Sequence, residues 1–469
     1  MLDQAKPSFA VRDAEGVHTL ADVRKLASDY ERCLHENDVR PGDRVVVRLG
    51  RTFRDVAAIF GVSAAGAIVV PVGAETPDDR VDQISENCSA RYQLTTVPTT
   101  SLVRHDGPGP AAAEDPATLA RTALMIYTSG SSGIPKGVVC SHSAVLSAVD
   151  GIQQRLAYRD TDRVALLLPM AFDYGLYQAF LALRSGAQLV IYPPDSGGLG
   201  LGGQLDEDGI TVLPSLPALT QSLVTWCRRR NRSLRSLRLL TSTGADFTER
   251  LAQAARRALP SARVVPMYGL TECKRATIHT GSPDEPHNSG TPIPGCRVVI
   301  LDEDREPVAD GEVGEIVVVG DNVMSGYWPL TDESLNSRFG TNGDGERWVA
   351  SGDRGRLDAA GSLYVLGRVD DLFKHNGYRT SVTEIEEVIS TIEGVERVCV
   401  RPPDDVNTFL AYYEGAIEAT QLRTELGRRL ESYKIPEELH RTDQMPINSN
   451  GKIDRQAVSA RFQRQVEAA

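Results

Sequence analysis

No Cys-x-x-Cys pair occurs in this sequence. Its seven cysteines (Cys33, Cys88, Cys140, Cys227, Cys273, Cys296 and Cys399) are odd in number and widely scattered. That spacing points to neither a zinc cage nor a disulfide framework. Positive charge is also short: 51 Lys and Arg face 63 Asp and Glu, a net charge of −12. An acidic chain has no global attraction to nucleic acid or an anionic membrane, so neither is expected as a partner. A local basic site for a phosphorylated ligand remains compatible with that balance. The N-terminus, Met1-Leu-Asp-Gln-Ala-Lys, lacks the basic start and apolar run of a signal peptide. The longest stretch without charge, Val56 to Ala74, is rich in Gly and Ala and contains Pro71. It reads as a helix followed by a strand rather than a membrane span. A soluble, reduced, cytoplasmic protein is expected.

What is present is length and alternation. At about 150 residues per domain, 469 residues suggest about three units, and 41% apolar with 24% charged residues describe a folded chain. Thr19 with Asp22 makes a capping box, with Leu20, Val23, Leu26, Tyr30 and Leu34 following at helical spacing. Helix-then-strand units recur: Phe53 to Ala65 before Ile68–Val72, Asp79–Cys88 before Tyr92–Thr95, and Tyr177–Leu183 before Gln188–Tyr192. This rhythm predicts an α/β fold with largely parallel sheets. Pro98 to Pro116 reads as a surface connection. From Gly295 the pattern turns to closely spaced strands (Val298–Leu301, Gly314–Val319, Trp348–Ala350, Leu363–Leu366), a β subdomain over about 295–368. The last hundred residues predict a small α+β unit, with a helix over Thr383–Thr391, strands Val395–Arg401 and Phe409–Tyr413, and a helix from Glu418 to Leu430.

The string Ile126-Tyr-Thr-Ser-Gly-Ser-Ser-Gly-Ile-Pro-Lys-Gly137 carries the most chemistry. Gly130, Gly133 and Gly137 allow close backbone approach, while Thr128, Ser129, Ser131, Ser132 and Lys136 suit phosphate oxygens. It is not a Walker loop, because Lys136 follows Pro and no Gly-Lys-Ser/Thr occurs there. A plain Ser/Gly linker would not sit between two apolar strands. Gly198-Leu-Gly-Leu-Gly-Gly203 satisfies G-x-G-x-x-G, but Pro193-Pro-Asp-Ser separates it from the preceding strand and no helix visibly starts on it, so a mobile loop is expected there. His142 reads as a packing residue or a support for the site rather than a catalyst, and Cys273 has no arranged base that would make it a nucleophile.

The loop string matches throughout the signature of the adenylate-forming superfamily, which includes acyl-CoA synthetases, adenylation domains of nonribosomal peptide synthetases, and firefly luciferase. Four further blocks occur in the family's order: Tyr268-Gly-Leu-Thr-Glu272; Ser351-Gly-Asp353; Gly367-Arg-Val-Asp-Asp371 with Lys374, Gly377 and Arg379; and Asn450-Gly-Lys-Ile-Asp-Arg455. The chain thus resembles that superfamily over nearly its whole length. The resemblance implies a large N-terminal unit of residues 1–368 and a small mobile unit of 369–469, hinged at Asp370. It implies ATP and Mg²⁺, with CoA or a carrier protein's phosphopantetheine as thiol acceptor. Lys136, Thr271 and Lys452 would contact phosphate oxygens, Lys452 also the carboxylate, and Glu272 would hold Mg²⁺. Gly244, Ala245, Asp246, Tyr268 and Gly269 would frame the nucleotide, with Asp353 and Arg368 at the ribose. Gly377 would line the thiol's tunnel.

By the same resemblance, Phe172-Asp-Tyr-Gly-Leu-Tyr177 stands where amino-acid-activating domains write Phe-Asp-x-Ser, and Asp173 matches the aspartate that pairs with a substrate amino group. Gly175 departs from the Ser. The acyl pocket would comprise Phe172, Asp173, Tyr174, Tyr177, Thr241, Thr243, Met267, Arg275 and Ala276, a polar set ill-suited to a long aliphatic chain. Lys274-Arg275 directly after the Thr-Glu pair is unusual. Asp173 and Arg275 either meet substrate or pair with each other or the backbone. Seventeen residues follow Lys452 without a carrier motif, so the acceptor is expected in trans. Three readings stay open: a ligase for a small polar, amino-bearing or aromatic acid; activation of nitrite to diazotise an amino-aromatic acid; and a catalytically silent ATP-binding module, against which the retained Lys136, Thr271, Glu272, Asp353 and Lys452 speak.

Overall fold

The computed structural model describes every residue except 97–99, 105–115, 130–134, 194–195, 197–199, 245–246, 283–286, 334–335, 369–371, 376–377, 403–408, 431–433, 449–451, 456 and 460–469. Its framework is two large mixed sheets. In the nine-stranded sheet the central strands Ala10–Asp13, Gln188–Ile191, Arg163–Leu166, Val212–Ser215, Leu239–Ser242 and Arg263–Tyr268 run parallel, with antiparallel strands at both edges. In the seven-stranded sheet Tyr92–Thr95, Arg44–Leu49, Ile68–Gly73 and Thr122–Ser129 are parallel at the centre. The predicted α/β class with parallel-rich sheets is what the chain adopts.

Period-two alternation within these strands decides the layering. Val45 and Val47 face one apolar cluster and Val46 faces another. The first cluster fills the space between the sheets and takes in the helices Leu20–Glu36, Phe53–Ala64, His142–Leu156 and Asp173–Ser185. Helices Pro217–Arg230 and Glu249–Ala258 cover the far face of the nine-stranded sheet. Helix Asp78–Asn87 covers the far face of the seven-stranded one. The Thr19/Asp22 capping box forms, and Thr52 with Asp55 makes a second.

A five-stranded antiparallel sheet follows, built on Cys296–Leu301, Gly314–Gly320, Phe339–Thr341, Arg347–Leu357 and Leu363–Arg368. Towards the C-terminus, helices Val382–Ser390 and Ala419–Leu426 pack on strands Val395–Arg401, Leu410–Gly415 and Glu438–Thr442 around an apolar cluster of their own. One guanidinium nitrogen of Arg250 donates to the Ser390 carbonyl at 3.2 Å, tying that cluster's helix to the nine-stranded sheet's outer layer.

Several expectations need correction. The glycine-rich segment does start a helix, Leu201–Glu207, which lays Gly202 against the Trp226 ring; apolar packing decides there, and no turn signal announced it. Part of the presumed surface connection is an edge strand, Ser101–Arg104, paired antiparallel with Tyr92–Thr95. The helix assigned to Tyr177–Leu183 begins at Asp173, and the one assigned to Glu418–Leu430 stops at Leu426. Among the described residues no helix is long and apolar enough to cross a membrane, and all seven cysteines are free.

Candidate active site

The site gathers at the carboxyl ends of the parallel strands, where an open α/β sheet leaves its crevice. Thr241 closes toward the end of Leu239–Ser242, and Met267 and Tyr268 end Arg263–Tyr268. Tyr268 then spans two sheets: its phenol donates to Asp353 Oδ2 at 2.6 Å. Burial, then the neighbouring Asp353 carboxylate, holds the Tyr268 phenol far above its ordinary pKa, so it stays a donor. Asp353 lies mid-strand in Arg347–Leu357, in register with Arg368 across the ladder. Gly244 follows at φ +86°. The structure thus brings Tyr268, Asp353 and the Arg368 backbone together.

The second cluster joins the hydroxyl-loop hairpin to the Thr-Glu block. Strands Thr122–Ser129 and Pro135–Ser141 pair antiparallel with Thr128 opposite Lys136, so the loop between them is a hairpin connection. Lys136 Nζ lies 5.7 Å from the centre of the Tyr327 ring, within cation–π range. The Tyr327 hydroxyl donates to Glu272 Oε1 at 2.5 Å, and the Glu272 carbonyl accepts from Met324 N–H at 2.7 Å. Tyr327 was not anticipated; it lies 55 residues beyond Glu272 and only folding reveals it. Thr271 precedes Glu272 and gives its carbonyl to the Lys274 ammonium.

The third cluster is the acyl pocket. Asp173 opens helix Asp173–Ser185 directly after Phe172, its N-cap, where a carboxylate is favoured by the helix dipole. Gly175, the departure from Ser, has a packing cause: a Cβ there would sit 2.3 Å from the Pro169 carbonyl oxygen. Asp173, Tyr174, Tyr177, Thr241, Met267, Lys274 and Arg275 line one cavity with Ile152, Leu156, Gln178 and Leu181. Thr243 and Ala276 are buried, but neither they nor Phe172 line that cavity. Between the lining side chains there is room for about one water molecule, so a carboxylic acid could enter only if some of them moved. Tyr174 donates to Thr241.

Asp173 and Arg275 do not pair with each other. Arg275 donates to the Lys274 carbonyl at 2.5 Å and stacks over Tyr174 at 4.7 Å. Lys274 is 2% exposed, at φ +67°, and its ammonium donates to Cys140 Sγ at 2.8 Å. Burial opposes its charge, but Cys140, Asp173 and Glu272 outweigh that, and its pKa lies above the ordinary value. Gly269 makes this possible: a Cβ there would meet the Lys274 carbonyl oxygen at 2.2 Å. Asn322 fastens the same turn, donating to the Cys273 and Arg275 carbonyls.

Other anticipated residues stand elsewhere. Gly130, Ser131, Ser132, Gly133, Ala245, Asp246, Asp370 and Gly377 lie outside the described residues, as do Asp371 and Asn450. Ser129 and Arg368 are placed by their backbones alone. Lys452 is exposed; its N–H donates to Asn448 Oδ1 and its carbonyl accepts from Asn448 N–H. Cys273 is wholly buried and burial pushes its thiol up, so no nucleophile is poised there. His142 is the exposed first residue of its helix.

Residues 3–328 match the family described as AMP-binding enzyme. A dimodular nonribosomal peptide synthase of Bacillus subtilis (strain 168) is 30% identical over 94% of this chain and 20% of its own length. The chain spans less than half the length of the curated relatives it matches, and a fifth or less of several. Among solved structures, ATP-bound MatB from Rhodopseudomonas palustris superposes with a TM-score of 0.84 at 21% identity, over 98% of this chain and 96% of that one. VinN superposes with a TM-score of 0.67 at 30% identity, over 76% and 94%. The chain belongs to the family of AMP-binding enzymes.

Proposed function

We propose that this protein adenylates a small polar carboxylic acid bearing an amino group or an aromatic ring, and passes the acyl group to a thiol of CoA or of a carrier protein's phosphopantetheine. The observation that carries the reading is the convergence of three clusters on one crevice: Tyr268 with Asp353, Lys136 with Tyr327 and Glu272, and the Asp173–Arg275 pocket. Asp353, aligned by Tyr268, accepts the ribose hydroxyls. Lys136, Thr271 and the hydroxyl loop take the phosphates. Asp173 takes the substrate amino group and so orients the carboxylate toward the α-phosphorus.

The donor set suits Mg²⁺. Among the described residues no group of three acidic, His or Cys side chains could hold a metal, whereas one oriented carboxylate, Glu272, fits an ion that draws its remaining ligands from phosphates and water. Bound there, Mg²⁺ would neutralise charge on the departing pyrophosphate. The attacking carboxylate and ATP are both anions, so Lys136 and Lys452 supply positive potential where charge accumulates. Rotation of residues 369–469 about Asp370 exchanges Lys452 for a face that admits the thiol past Gly377.

Pyrophosphate release from ATP and Mg²⁺ over a panel of acids tests the reading, with thiol acceptor and nitrite as further arms. Acid-dependent release followed by thioester formation is expected. ATP binding without release for any acid would overturn it in favour of a silent module, and release that requires nitrite would replace the thiol step.

A further inference from the structure

The acyl pocket carries an excess of buried positive charge. Lys274 and Arg275 are 2% and 5% exposed and both line the cavity, where Asp173 is the only carboxylate among the described residues. Among the described residues neither cation forms an ion pair with a carboxylate: Lys274 donates to a thiol and a backbone carbonyl, and Arg275 to a backbone carbonyl. Asp173 and Glu272 favour the Lys274 charge only from beyond ion-pair distance, and burial pushes the Cys140 thiol up. A buried cation gains more from a directly hydrogen-bonded counter-charge.

Two independent features point the same way. Tyr177 lines this cavity, and its buried hydroxyl has no hydrogen-bond partner among the described residues; a buried donor left unsatisfied is unfavourable. Lys274 also sits in left-handed backbone at φ +67°, which a non-glycine residue adopts only under strain. A strained, desolvated lysine and an unsatisfied tyrosine on one cavity are the arrangement of a site whose missing member is an anion.

We propose that the substrate is an amino dicarboxylic acid: one carboxylate is activated, the amino group faces Asp173, and the second carboxylate is held by Lys274 and Arg275 with the Tyr177 hydroxyl. This rests on the ligase reading above and narrows its substrate class. Such a substrate, bound as a monoanion, cancels the single excess positive charge of the pocket. A neutral amino acid leaves that charge in place, and a dicarboxylate without the amino group leaves Asp173 unpaired.

The test uses the full chain with Mg²⁺ and ATP. Aspartate, glutamate and 2-aminoadipate are compared with asparagine, glutamine and neutral amino acids, and with succinate and glutarate. At least one amino dicarboxylate is expected to exceed both its amide and its desamino analogue in kcat/KM by about 50-fold or more. In Lys274→Met and Arg275→Gln that ratio should collapse toward one, mainly through KM, with AMP still raising the melting temperature as a check on folding. Equal or better use of the amides or neutral amino acids overturns the inference and leaves the ligase reading standing. Should no acid release pyrophosphate, calorimetric titration of the same acids still decides: tighter binding of an amino dicarboxylate, lost in both variants, upholds the inference while removing the ligase reading. Indifference to the second carboxylate overturns it.

Discussion

The phenol of Tyr268 donates a 2.6 Å hydrogen bond to Asp353, and so links the last residue of a strand in the nine-stranded sheet to the middle of a strand in the five-stranded one. A carboxylate aligned this way would present its second oxygen at a fixed angle to the ribose proposed above. Tyr268→Phe should therefore raise KM for ATP about tenfold, the size of one hydrogen bond to a charged group, with kcat less affected. Steady-state kinetics in ATP at saturating acid checks this. An unchanged KM would detach Tyr268 from nucleotide binding.

Tyr327 holds one oxygen of Glu272 and lies under Lys136. In Tyr327→Phe the carboxylate loses its aligning donor, so half-maximal activity should need several-fold more Mg²⁺. Titration of Mg²⁺ at fixed ATP reads this directly. An identical Mg²⁺ curve would show that Glu272 does not need its neighbour.

Lys452 is exposed in its turn. If it reaches the α-phosphate during adenylation, Lys452→Ala should slow pyrophosphate release by ~10²–10³, as loss of one transition-state contact does. The thiol step, started from preformed adenylate, should suffer less. Equal slowing of both steps would refute the alternation.

Gly269 leaves 2.2 Å between a hypothetical Cβ and the Lys274 carbonyl oxygen. Gly269→Ala should cost about 1–3 kcal/mol by overpacking and displace Lys274 from the pocket. A lower melting temperature together with a weakened response to acid substrate is expected. Wild-type behaviour on both counts would mean the turn relaxes freely.

Asp162 accepts from Arg159 N–H and the Thr211 hydroxyl and pairs with the Arg238 guanidinium, its side chain 2% exposed. Burial acts to raise its pKa, but Arg238, the Arg159 N–H and Thr211 outweigh it and hold the carboxyl below the usual range. A depressed pKa contributes stability that is full above the unfolded value, near about 4, and is lost as pH falls through the folded value. Asp162→Asn should thus cost about 3 kcal/mol at pH 7 and progressively less below pH ~4. Urea midpoints for both proteins at pH 7 and 3.5 measure the difference. A gap that widens in acid would contradict the sign.

Local chemistry made much of the architecture legible. Thr19 with Asp22 and the apolar run at Ile68–Val72 mark their elements within a few residues because hydrogen bonds and alternation act over short separations. Tyr268, Glu272 and Asp353 drew notice for a different reason: each stands in a string that resembles the superfamily's. Tyr327 was not, since its meeting with Glu272 depends on a strand that pairs with the hairpin of Lys136. The helix at Leu201 was missed because contact with Trp226, not a cap, favours it. Lys274 drew notice as an odd charge, but its burial against Cys140 spans 134 residues and no spacing rule reaches so far.

The contact between Gly175 and the Pro169 carbonyl bears on how such a pocket could be re-engineered. Asp173, Tyr174 and Tyr177 share the first turns of one helix, and that helix is pressed onto the 168–169 backbone with no slack for a methyl group. Any larger residue at position 175 would push all three side chains outward together, so the helix behaves as a single mechanical part. Libraries that seek new substrates would lose most members to this rigidity if they varied position 175. Diversity placed instead at positions 274 and 275, on the turn opposite, would change the charge of the cavity while its frame stayed in register.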